Sequence, residues 1–107
     1  MKKNIRLTDY AMARLRRLVK ERDGGCVICM WMLGCDLHHV VFRSSGGEDT
    51  ADNLVCLCRK CHSIYAHGKH AKAWRDSFLE YLQSEKCRRW KDMHREELEE
   101  LYEKGRR

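Results

Sequence analysis

With 107 residues, a net charge of +6 and 36% charged side chains, the chain can build one modest hydrophobic core beneath a large solvated surface, as a single domain. No apolar run approaches the ~20 residues that cross a bilayer, and MKKNIRLTDYAMARLRR has no apolar stretch of secretory length after its lysines, so the expectation is a cytoplasmic protein without a membrane partner. In that reducing compartment seven cysteines, an odd number, argue for metal ligation over a disulfide framework.

The first element in chain order is a helix. Ala11, Leu15, Leu18 and Val19 recur at helical spacing between Thr8, a suitable N-cap, and the stop at Gly24-Gly25, which predicts a helix from Thr8 to about Arg22. The charge collects here: residues 1–22 hold eight basic groups (Lys2, Lys3, Arg6, Arg14, Arg16, Arg17, Lys20, Arg22) against Asp9 and Glu21, whereas residues 23–107 hold fourteen of each sign. Such a segment suits the phosphates of DNA, with Arg14 and Arg17 as candidate contacts, and equally suits a solubilising helix face.

From Cys26 to Cys61 short motifs replace periodicity. A C-x-x-C turn (CVIC) leads to a strand candidate at Leu37–Phe42, a turn-rich loop SSGGEDTADN, a second strand candidate at Leu54–Leu57 and a second C-x-x-C turn (CRKC). A short helix is expected over Arg59–Ala66, ended by Gly68. Ala71, Trp74, Phe78, Tyr81 and Leu82 then follow a helical period, and Met93, Leu98, Leu101 and Tyr102 mark a last, charged helix whose EELEELYEK run reads most simply as a solvated face, with a partner surface as the alternative. The three tryptophans and two phenylalanines are read as packing residues. The fold class is therefore α+β.

Each knuckle places two thiolates on one tight turn, so Cys26, Cys29, Cys58 and Cys61 supply the four sulfurs of a structural Zn2+ site. A closed site leaves no position for water or substrate, and its task is to staple the ends of the strand-loop-strand insert. Cys56 competes with Cys58, because CLCRKC offers an alternative spacing. Cys35 and Cys87 have no partner at ligand spacing and read as small hydrophobes.

The insert carries LHHVVF, then GGEDTADNL, then a histidine directly after the second knuckle in CRKCHSIYAH. Over residues 22–68 these motifs together resemble the HNH endonuclease family, in its cysteine-knuckle branch. The resemblance implies a zinc-stapled ββα-metal (His-Me finger) core over 26–68, flanked by a basic N-terminal helix within 1–25 and C-terminal helices within 69–107. It also implies that His39 is the general base, Asn53 the family's asparagine, His62 its final histidine and His38 a metal-binding position. The separations, 14 positions from His39 to Asn53 and 9 from Asn53 to His62, are familiar in such nucleases. His67 follows His62 by five positions where some related nucleases have a histidine after four, which leaves its place in the metal site open. Small proteins of this kind occur in bacterial viruses and mobile elements, which by resemblance places the chain in a bacterial or virus-infected host cell.

The residue types suit that chemistry on their own terms. Phosphodiester hydrolysis needs an activated water in line with the scissile bond and positive charge on the phosphate oxygens. An imidazole such as His39 is a suitable base near neutral pH. Neighbouring strand residues point to opposite faces, so His38 and His39 serve one site only where the strand ends or bends. His38 and His62 would hold one catalytic divalent ion, Mg2+, Mn2+, Ni2+ or Zn2+, with open positions, and the Asn53 amide can bridge backbone across the Ser44–Asp52 loop. Arg43 is a candidate for steadying the phosphate, with an ordinary surface arginine as the alternative; His70 and His94 are expected in solvent.

The competing function is a non-catalytic zinc-knuckle module that binds nucleic acid, which has no need of His38, His39, Asn53 and His62 together. No separate reading domain is evident, so specificity is expected to be weak, structure-dependent or supplied by a protein partner. The sequence does not reveal the oligomeric state.

Overall fold

The computed structural model describes residues 4–107, and Lys2 and Lys3 of the basic segment lie outside them. Helix α1 (Asp9–Asp23) begins where Thr8 accepts a hydrogen bond from the Ala11 N–H and ends where Gly24 takes the left-handed conformation. Its apolar face (Ala11, Leu15, Leu18, Val19) is buried against strand β2. The predicted α1 is thus displaced by one residue at each end.

Strands β1 (Cys35–His39) and β2 (Leu54–Cys58) form a two-stranded antiparallel sheet. Their register sets Cys35 opposite Cys58 and His39 opposite Leu54, so one end of the hairpin faces the knuckles and the other faces the loop. β1 lies two residues nearer the N-terminus than Leu37 and stops at His39, where the chain turns into the loop; Val40 and Val41 hydrogen-bond to Asn53 instead of a strand partner. β2 is buried along its whole length, which explains its unalternating LVCLC. A short helix α2 (Arg59–Cys61) follows, and the chain continues as a wider π-type turn over His62–Ala66. The succession β1, β2, α2 is the expected ββα order in an α+β fold.

Three helices complete the chain where the sequence predicts two: α3 (Ala71–Leu82), α4 (Glu85–Met93) and α5 (Arg95–Lys104). Ser84 caps α4 through the Cys87 N–H, and a non-helical His94 separates α4 from α5. Met93 therefore closes α4 and is exposed rather than opening the last helix. Leu98 and Leu101 of α5 are buried in the core shared with α1. Among the described residues no helix is long and apolar enough to cross a membrane.

The packing expectation for the aromatic residues holds for Phe78, which is buried, and for Trp74 and Trp90, which lie against the core. It fails at Trp31 and Phe42, 59% and 41% exposed, because both sit on loops outside the helical faces. The basic face is also narrower than the charge count implies. Arg22 is buried, bonding Asp23 and the carbonyls of Ala51 and Leu54. Arg6 donates to the Gly47 carbonyl and Arg14 pairs with Glu97 at 3.8 Å, leaving Arg16, Arg17 and Lys20 exposed on α1.

Candidate active site

The two knuckles bring the sulfurs of Cys26, Cys29, Cys58 and Cys61 within 4.8 Å of one another. The Cys29–Cys58 separation is 3.6 Å, near the ~3.8 Å edge of a tetrahedron with Zn–S bonds of ~2.3 Å. The donor set thus fits zinc. Burial raises the Cys26 thiol, but N–H groups of Cys29, Cys58 and Ile28 outweigh it and bring its pKa down to about 7. Cys56 is buried outside this cluster, as are Cys35 and Cys87.

At the other end of the hairpin the strand alternation separates the two neighbouring histidines. His38 is buried and turns toward the α2 side, with its Nδ1 3.2 Å from His62 Nε2, and His62 Nε2 is 3.1 Å from His67 Nε2. The ring nitrogens of all three lie within 4.8 Å of one another. Imidazoles sharing one ion at ~2.1 Å would stand ~3.0–3.4 Å apart, so the trio fits a divalent cation and leaves coordination positions open. Burial, then the neighbouring His62, His67 and His39, lowers the His38 pKa to about 4, and burial likewise lowers His62. Both are neutral near pH 7, the form that ligates a metal. The π-type turn widens the helix by one residue, which lets His67 reach His62 across five positions instead of four.

His39 turns to the loop. Its Nε2 meets Asp49 Oδ1 at 2.8 Å, and Asp49 is fully buried. Arg43 holds the same carboxylate through both oxygens at 3.0 Å, and the Leu7 N–H donates to Oδ2 at 2.9 Å. Burial pushes the Asp49 pKa up, but the bonds from Leu7, His39 and Arg43 prevail and hold it below its ordinary value. An ionised carboxylate only accepts, so His39 donates from Nε2 and carries its lone pair on Nδ1. Sequence reasoning missed Asp49. It sits in a Gly-rich loop between Glu48 and Asp52, and only burial distinguishes it from those neighbours.

Asn53 closes the loop through backbone alone. Its Oδ1 accepts from the Val41 N–H at 2.8 Å, and its Nδ2 donates to the carbonyls of Val41 and Glu48, both at 3.0 Å. Gly47 is required where the loop doubles back, since a Cβ there would lie 1.7 Å from the Val41 oxygen. Arg14 and Arg17 remain on α1, and no bond joins them to the histidine cluster; His70 is exposed as expected, whereas His94 is half-buried, its ring tilted against Trp90 at 5.0 Å.

A recognisable pattern underlies this geometry. Residues 26–68 match the model of the HNH endonuclease family. The HNH match contains both knuckles, both strands, His38, His39, Asn53, His62 and His67. A stretch of 37 residues is also 51% identical to the Type IV methyl-directed restriction enzyme EcoKMcrA of Escherichia coli, covering 35% of this chain and 13% of that enzyme. The chain thus aligns with only a small part of that relative. No solved structure matches it. The HNH match and the restriction-enzyme likeness support a nuclease function in general terms.

Proposed function

We propose that the chain is a metal-dependent endonuclease that hydrolyses DNA phosphodiester bonds, with His39 as general base. The observation that carries this reading is the pairing, at one end of the hairpin, of a three-histidine cluster with a fourth histidine oriented by a buried carboxylate. A structural zinc module needs only the four-cysteine end.

His38, His62 and His67 would hold the divalent ion, which when bound supplies positive charge for the phosphate oxygens and the leaving group. His39 takes a proton from water at Nδ1, while Asp49 fixes the ring and stabilises the imidazolium that forms. Arg43 is anchored by Nε and one terminal nitrogen, which leaves its other terminal nitrogen to meet a phosphate oxygen. Asn53 does not contact the reacting atoms in this reading; it holds the loop that carries Arg43 and Asp49. The HNH match, the restriction-enzyme relative and the exposed Arg16, Arg17 and Lys20 support DNA as the substrate.

Supercoiled plasmid incubated with the zinc-loaded protein and Mg2+, Mn2+, Ni2+ or added Zn2+ tests this directly. Nicking or linearisation by the wild type is expected, together with its loss in His39→Ala at unchanged zinc content and circular dichroism. Cleavage retained by His39→Ala would remove His39 from the mechanism. A wild type that binds DNA yet cuts with none of the ions would favour the non-catalytic binding module.

A further inference from the structure

A second surface lies beside the four-cysteine cluster. Ile28, Trp31, Leu33 and Tyr65 line a groove of about 630 Å³ together with Arg59, Lys60 and three cysteines of the zinc site, Cys29, Cys58 and Cys61. Trp31 and Leu33 are 59% and 71% exposed, and neither takes part in the buried core. Among the described residues no carboxylate lines this groove. Four consecutive apolar residues, MWML at 30–33, thus stand in solvent, against the normal tendency of a soluble surface to scatter such side chains.

We propose that this groove binds an unstacked nucleobase of the DNA engaged at the histidine centre, with Trp31 and Tyr65 as stacking surfaces and Arg59 and Lys60 on the flanking phosphates. The inference rests on the nuclease reading above. Aromatic faces interleaved with cations are the chemistry that holds single-stranded nucleic acid without regard to sequence. Arg59 and Lys60, both exposed, can reach phosphates flanking a base held in the groove. Position argues the same way, because Arg59, Lys60 and Cys61 of the groove run directly into His62 of the histidine cluster. Trp31 therefore holds an unpaired base of the engaged strand, and the protein prefers flaps, bubbles or nicked ends to intact duplex.

Binding and cleavage are to be measured separately on the zinc-loaded full chain. Fluorescence anisotropy compares a labelled paired duplex with the same duplex carrying a three-nucleotide bubble, for wild type, Trp31→Ala, Trp31→Phe and Tyr65→Leu. Trp31→Ala is expected to lose roughly 5- to 150-fold in affinity for the bubble, with little change on paired duplex, and Trp31→Phe is expected to recover most of the loss. Zinc content checks that each variant is folded. Equal affinity of wild type and Trp31→Ala for the bubble would overturn the proposal. So would sedimentation showing wild-type self-association that Trp31→Ala abolishes without affecting DNA binding, which would assign the surface to a second copy of the chain. Because these readouts need no cleavage, they stand even if every metal leaves the wild type inactive, a result that would refute the nuclease reading alone.

Discussion

Asp49 accepts a hydrogen bond from His39 at 2.8 Å while its other oxygen accepts the backbone N–H of Leu7 at 2.9 Å. The orientation of the proposed base is therefore coupled to the docking of residues 5–7 on the loop. That segment is fixed from both sides: Ile5 bonds Glu48 and Asp49, and Leu7 pairs with Arg106 near the C-terminus. A long-range backbone contact thus supports the tautomer of the proposed base.

Asp49→Asn should separate orientation from mere folding. The amide offers one accepting oxygen, so keeping His39 in place sets its NH2 group against the Leu7 N–H and Arg43, donors facing donors. Cleavage is expected to fall by about 10²- to 10⁴-fold. The double variant with His39→Ala should be no slower than His39→Ala alone, because the two residues act as a unit. Single-turnover rates that multiplied across the two substitutions would contradict this.

His67→Ala tests whether three histidines or two hold the second ion. With His67 at 3.1 Å from His62, its removal leaves only His38 and His62. A loss of at least about 10-fold in Mn2+ or Zn2+ affinity is expected by calorimetry, while one equivalent of zinc stays with the cysteines. Unchanged affinity for the second ion would leave His67 a surface residue.

These two sites differ in how far the sequence disclosed them. The cysteines were legible because tetrahedral ligation imposes a local spacing, and His38, His39, Asn53 and His62 because the motif is itself local. His67 stays open on the sequence alone because ordinary α-helical geometry pairs positions three or four apart, and only the π-type turn brings the fifth into reach. Asp49 and Leu7 meet across 42 positions, a relationship no spacing rule contains. The third C-terminal helix was hidden for a different reason: with no proline or glycine between residues 69 and 104, only Ser84 marks a boundary.

Arg22 and Arg17 are both basic residues of α1 and should behave oppositely. Arg22 is buried against Asp23, which in turn accepts from the Cys56 N–H and the Tyr81 hydroxyl. Arg22→Ala leaves an uncompensated buried carboxylate and should cost about 3–5 kcal/mol, seen as a large drop in Tm. Arg17→Ala should leave Tm unchanged and weaken DNA binding uniformly across sequences, lowering the salt-dependence slope by about one. A stable Arg22→Ala protein would show that the buried pair does not hold α1 to β2.

The alternative spacing in CLCRKC yields the last prediction. Cys56 and Cys58 lie on the same face of β2, but two residues along a strand is ~6.6 Å, beyond a cluster whose sulfurs lie within 4.8 Å of one another. Cys58 also accepts from the Cys61 N–H at 3.4 Å, so it orders the turn that opens α2 as well as supplying a ligand. Cys58→Ala is therefore expected to lose bound zinc and, with it, the hairpin's circular dichroism signal. Cys56→Ala should keep one equivalent of zinc and lose only the stability that a small buried side chain contributes, and Cys87→Ala should behave likewise. Zinc retained by Cys58→Ala and lost by Cys56→Ala would exchange the two residues' roles and shift the second knuckle by one strand repeat.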